Sequence, residues 1–180
     1  MSESMTKIIK LRDEGQLTDV TFKAEGIEKS AHKIFLVAVS EYCEAKFSGA
    51  WGRLSERGET VLVEDITSNT LSTMIDFAYT GEYIGPQLKD PNNNDEIADV
   101  LDELLDLLDG SNMWLLTRLH TKVEDFLLEA GNSKDYVRVD NVVDVRECAD
   151  HARALRLRKH CEDFIEANRS LVEAVGALSG

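Results

Sequence analysis

The chain is poor in the residues that staple or anchor a fold. Only three of its 180 residues are cysteine and two are proline. Cys43, Cys148 and Cys161 are odd in number and too sparse for a disulfide framework. They read as reduced, buried thiols of an intracellular protein. Long apolar runs are also missing. The longest, Ile34 to Val39, is six residues, against about 20 needed to span a bilayer as a helix. The N-terminus, Met1-Ser2-Glu3-Ser4, has no basic stretch followed by an apolar one, so no secretory leader is expected. Basic side chains are outnumbered, 20 against 34 acidic ones, for a net charge of −14. That balance excludes polyanionic partners: nucleic acid needs a basic footprint, and so does an anionic membrane surface. A soluble protein of the cytosol or nucleus is expected.

What is present suits a folded domain. Apolar residues make up 43% and charged ones 30%, a globular composition. The length fits one domain, or one domain with a small appendage. A chain of this mass can bury roughly 70% of its unfolded surface, so it needs no covalent staple.

The periodicity changes along the chain. Met5, Ile8, Ile9 and Leu11 lie on one side of a short helix that Gly15 ends. Leu17 to Lys23 alternates as a strand, Gly26 turns, and Ile27 to His32 returns as the second strand of a hairpin. Ile34 to Val39 is apolar nearly all round, which predicts a buried helix. Ser40 is placed to cap the next helix, which runs through Cys43 to Phe47. Ser48 to Gly58 reads as a loop and Thr60 to Val63 as a short strand. Thr67 or Ser68 caps a helix carrying Leu71, Met74, Ile75, Ala78 and Tyr79 on one face and ending at Gly81. Gly85 to Asn94 holds both prolines and three consecutive asparagines, and reads as a flexible insertion. Helical stripes follow at Ile97–Leu108, Trp114–Leu128, Val142–Leu155 and Leu157–Ile165, with a weak last piece at Ser170–Ala177. A small N-terminal sheet followed by helices is an α+β arrangement.

Catalytic chemistry does not emerge. There is no GxGxxG after a strand, no Walker loop, no GxSxG and no HExxH. His32, between a strand and an apolar helix, reads as a structural histidine bonded to backbone. Cys148-x-x-His151 with His160-Cys161 has a zinc-like look. However, adjacent residues on a helix point about 100° apart, and Cys161 lies on the apolar stripe, so both cysteines read as core. No cofactor and no metal are expected. Seven carboxylates between Asp95 and Asp109 interleave with a leucine stripe and contain no lysine or arginine. They form a solvated face or a docking surface for a basic partner, and as a calcium loop they lack the glycine and glutamate spacing. The segment Arg146–His160, with five basic and two acidic residues, is the one locally basic stretch. It would balance the acidic helix or face an acidic partner.

Asp19-Val-Thr-Phe, followed by Ala31-His-Lys-Ile-Phe-Leu-Val-Ala-Val-Ser-Glu-Tyr-Cys-Glu-Ala-Lys-Phe47, resembles the BTB/POZ domain. Asp19, His32, Ser40, Tyr42 and Phe47 match the family's order of Asp, His, apolar helix, Ser-x-Tyr and closing Phe. Val61-Leu-Val-Glu-Asp-Ile-Thr and Met74-Ile-Asp-Phe-Ala-Tyr-Thr-Gly-Glu-Tyr83 resemble its third strand and its Phe-x-Tyr-Thr-Gly helix end. Asn141-Val-Val-Asp-Val-Arg-Glu-Cys-Ala-Asp, with Leu155, Cys161, Phe164, Ile165 and Asn168, is similar to the following helical pair, the three-box or start of a BACK domain. The departures are the Gly85–Asn94 insertion and Cys43, which replaces a common Phe. The resulting division is an N-terminal dimerisation arm at 1–16, a BTB/POZ domain at 17–130 with an insertion at 85–96, and a three-box extension at 135–180.

What the resemblance implies is protein interaction, not catalysis. It implies a homodimer whose interface includes Ile8, Ile9, Leu11, Leu17, Asp19, Phe35 and Val39. It further implies docking of cullin-3 in a ubiquitin ligase, through a hydrophobic-x-Glu motif before the third strand, here Leu54-Ser55-Glu56. Asp65, Trp114 and Leu115 join that surface, together with the three-box helices. The substrate protein stays unnamed, because no kelch, MATH or ankyrin segment is visible. A dimerising scaffold or transcription-linked module without cullin affinity is the alternative. A monomer would instead suit the Skp-like or elongin-like relatives, and an enzyme would need a metal or a buried reactive pair.

Overall fold

The structure, a computed structural model, describes residues 2–48, 58–90, 92–129 and 136–175. By contact density the chain divides into residues 1–83 with 113–119, and residues 84–112 with 120–180.

The first unit is built on a three-stranded sheet. β1 (Val20–Ala24) pairs antiparallel with β2 (Ile27–Ala31) and parallel with β3 (Glu59–Leu62), in the order β2-β1-β3. Two residues, Glu25 and Gly26, join β1 to β2, both at positive φ (50° and 80°). That turn matches the right-handed twist of the strands, and glycine makes its second position inexpensive. Alternation along β1 puts Val20, Phe22 and Ala24 into the core, the period-2 pattern of a half-buried strand.

Helices pack around this sheet. α1 (Glu3–Asp13) is capped by the Ser2 hydroxyl and has no fully buried residue. α2 (Lys33–Val37) and α3 (Glu41–Ser48) follow β2. Ser40 is the expected cap, its Oγ accepting the Cys43 N–H at 3.0 Å and donating to the Trp114 carbonyl at 2.6 Å. α4 (Ser68–Thr80) is capped by Thr67 and ends at Gly81. Glu25 reaches from the hairpin to accept the Ser68 N–H at 2.8 Å. Seven residues of α4 are buried, so this helix supplies much of the core. The expectation of a wholly buried α2 is corrected: Leu36 is buried but Ile34 is 71% exposed. Five residues make little more than one turn, too short to be covered all round.

The second unit is helical. α5 (Asn94–Met113) and α6 (Thr117–Leu128) each have one end in the first unit. α7 (Val142–His151) packs against α8 (Leu155–Ala167), and α9 (Arg169–Ala174) follows. Most of each periodic stripe is buried: Ile97, Leu101, Leu104 and Leu108 on α5, Val123 and Leu127 on α6, Val142, Val145 and Ala149 on α7, Leu157 and Cys161 on α8, whereas Leu155, expected in the stripe, is 63% exposed. The continuous helix expected from Trp114 is interrupted, since Trp114 and Leu115 form a turn with Leu115 at φ 52°. The insertion is held at defined points. Glu96 accepts the N–H groups of Lys89 and Asp90, and Asn93 caps α5 through the N–H groups of Asp95 and Glu96. A Cβ at Gly85 would collide with the Phe126 ring, so the backbone there approaches α6 as only glycine allows. No described helix is long and apolar enough to cross a membrane.

Candidate interaction surfaces

The first surface lies on α1, the α1–β1 link and α2. Ile8, Ile9 and Leu11 are half-buried on α1, Val39 is half-buried after α2, and Leu17 is 81% exposed at φ 60°. Ile34 adds an exposed apolar side chain that periodicity had assigned to the core. Two residues expected here are occupied within the chain itself. Asp19 accepts the Lys33 N–H at 2.7 Å, capping α2, which has no cap of its own. Phe35 stacks on Tyr79 at 4.5 Å.

Tyr79 organises the ground beneath this surface. Its oxygen accepts the His32 N–H at 2.8 Å, and its O–H donates to His32 Nδ1 at 2.7 Å. His32 Nε2 is then the protonated nitrogen, donating to the Gln16 carbonyl at 3.2 Å. His32 is therefore the backbone-bonded residue anticipated. The Arg12 guanidinium lies 4.7 Å over the Tyr79 ring. Burial pushes the Tyr79 phenol pKa up, against the opposing pull of the His32 N–H and of Arg12.

The second surface surrounds the α5–α6 turn. Trp114, expected to touch a partner, is only 3% exposed and packs 5.0 Å from Phe22 and 5.9 Å from Tyr42. It is a core residue that supports its neighbours. Tyr42, Met113 and the 47% exposed Leu115 are the apolar groups that reach solvent. Asp65 is exposed between β3 and α4. Leu54 and Glu56 lie outside the described residues.

On the second unit three cations of the basic stretch are paired close by. Arg146 meets Glu147, Arg158 meets Asp150 and Glu162, and Lys159 meets Asp163. Toward the acidic helix, His151 reaches Asp109 at 3.5 Å. Asp99, Asp102 and Glu103 remain exposed. Cys148, expected in the core, is also exposed. Its pKa is raised by partial burial and by Asp144, Asp102, Glu147 and Asp109, so this thiol is a poor nucleophile. Burial pushes Cys43 up to about 11 and Cys161 to about 12. Among the described residues no group of three or more His, Cys, Asp or Glu is placed to hold a metal ion.

One arrangement carried no sequence signal. Glu124, buried on α6, accepts the N–H of Arg156 at 2.8 Å, the N–H of Leu157 at 3.0 Å and Arg156 Nε at 2.8 Å. One turn earlier, His120 Nε2 donates to the Ala152 carbonyl at 2.9 Å. Together they hold both sides of the turn between α7 and α8, where Arg153 stands at φ 56°.

The comparisons with known proteins agree with this geometry. Kelch-like protein 2 of Homo sapiens is 37% identical over 83 residues, 46% of this chain and 14% of that protein. Kelch-like protein 3 of Mus musculus is 33% identical over 82 residues, again 46% and 14%. The chain thus spans about a seventh of the length of these relatives. The BTB domain of zebrafish PATZ1 superposes with a TM-score of 0.54 at 20% identity, over 71% of this chain and 91% of that one. That likeness speaks for the fold. The family model of the BTB/POZ domain matches residues 8–130, and the chain belongs to the BTB/POZ family, as an α+β protein-interaction module.

Proposed function

We propose that this chain is a homodimerising adaptor that docks cullin-3 within a ubiquitin ligase. The observation that carries the docking reading is Leu115. A leucine in left-handed backbone costs about 1–2 kcal/mol, and such strain persists where the surroundings impose it, often at binding sites. Here the preceding Trp114 is buried against Phe22 and Tyr42, and Leu115, at φ 52°, is 47% exposed. A partly exposed apolar side chain next in sequence to a buried aromatic residue has the character of an interface hot spot. Kinship with the Kelch-like proteins favours the same reading. Dimerisation is supported by the apolar side chains of α1, Leu17, Ile34 and Val39, which together leave an apolar face in water.

The test is calorimetric titration of the purified cullin-3 N-terminal domain against wild type and Leu115→Gly. Glycine relieves the left-handed strain, so the variant is expected to keep or raise its melting temperature while binding about tenfold or more weakly. If Leu54→Ala with Glu56→Ala binds as tightly as wild type, that motif leaves the surface. If wild type shows no binding at micromolar concentration, the chain is a dimerising scaffold without a ligase role.

A further inference from the structure

We infer that Arg12 is the positioning residue of the dimerisation arm, fixing α1 on its own protomer so that the apolar face meets a second copy already ordered. The inference rests on the dimer reading above for its partner, and on the geometry of α1 for the rest.

α1 has eleven residues and none is fully buried. Isolated helices of this length are marginal in water, so something other than its own hydrogen bonds must hold it. Ile8, Ile9, Leu11 and Arg12 are all mostly but not wholly buried, and the Arg12 side chain is 11% exposed. Arg12 Nε and Nη2 donate to Asp13 Oδ1 at 2.9 and 2.8 Å, and Nη1 lies 2.7 Å from Asp76 Oδ1 on α4. The guanidinium plane also covers the Tyr79 ring, whose hydroxyl is held by His32. Burial works against the Arg12 charge, but Asp13 and Asp76 outweigh it and the pKa is raised. The planar fork, the stacking and the carboxylate pairs come together in one side chain, which a lysine cannot reproduce. An arm held this way gives up little conformational entropy when its apolar face is covered, and preorganisation of that kind tightens binding.

The occupant of that face is a second copy of this chain. Ile8, Ile9, Leu11, Leu17 and Ile34 form an apolar set on one unit, and a two-fold interface uses the same patch on both protomers.

The experiment compares wild type, Arg12→Ala and Arg12→Lys by sedimentation equilibrium and by amide hydrogen exchange. Arg12→Ala is expected to weaken dimerisation about tenfold or more and to abolish protection of the α1 amides, while β1, β2 and α4 stay protected. Arg12→Lys, which keeps the charge but not the fork, falls between the two. Unchanged α1 protection in Arg12→Ala would overturn the anchoring role. Unchanged dimer affinity with α1 released would overturn the link between anchoring and dimerisation. A wild-type chain that stays monomeric overturns the dimer reading alone, and the exchange pattern still decides the anchor.

Discussion

The two ends of the chain are fastened by opposite means. α1 buries no apolar side chain completely and is tied to α4 by the Arg12–Asp76 ion pair and by Arg12 over Tyr79. The α7–α8 pair buries Val142, Val145, Ala149, Leu157 and Cys161 and adds a buried carboxylate, Glu124, across its turn. Apolar burial contributes about 1.5–3 kcal/mol per large side chain, whereas a partly exposed ion pair contributes a fraction of that. The difference teaches which end is permanent. The C-terminal pair is a fixed part of its unit, and the N-terminal arm leaves its apolar side chains incompletely covered.

The sharpest way to break this comparison is to attack the fixed end. Leu157→Ala is expected to cost about 3 kcal/mol through lost burial and a cavity, read by urea unfolding. Glu124→Ala should cost a similar amount, about 3 kcal/mol, because the N–H groups of Arg156 and Leu157 lose their acceptor. If both variants unfold like wild type, the pair is not fastened as described. Beneath the arm, Tyr79→Phe keeps the ring under Arg12 and removes the hydroxyl between the His32 nitrogens. About 1 kcal/mol is expected, in thermal unfolding of dilute protein. Ile9→Ala should cost the monomer about 1–2 kcal/mol, less than Leu157→Ala, since its side chain is mostly but not wholly buried. A loss as large as that of Leu157→Ala would erase the contrast.

The thiols come into play for stability only in alkali. Cys43 and Cys161, raised to about 11 and about 12 by burial, stay protonated in the folded chain long after the unfolded chain has ionised. The unfolded state then holds fewer protons, so stability is complete below about pH 9 and declines as pH rises from there toward 12. A thiol reagent at neutral pH is expected to reach Cys148 first, since it alone is exposed.

Much of this fold was legible because its signals are local. The alternation of β1, the Gly26 turn, the Ser40 and Thr67 caps and the leucine stripe of α5 each involve residues a few positions apart. The exceptions are long-range or steric. Ile34 reads as core, yet a helix of five residues leaves it outside. Trp114 and Leu115 fit a helical period, yet the chain turns there, and nothing local marks the left-handed leucine. Cys148 sits at helical spacing with core residues but on the edge of the stripe. Glu124 looks like one more surface carboxylate until α8 comes to it from 32 positions away. Of the expected docking residues, Trp114 reads from the sequence as a contact with a partner, yet it lies buried against Phe22. Tyr42 beside it gave a family signature without a surface role.

That distance has a consequence for how the protein is made. α8 begins at Leu155 after Ala154, which offers no side-chain cap, and its first amides depend on Glu124. A ribosome delivers α6 before α8 has emerged, so the acceptor for those amides is already in place when the last helices appear. A truncation that removes α6 therefore leaves α8 without its start, and a separately expressed C-terminal piece will need a substitute, such as serine at position 154, to nucleate.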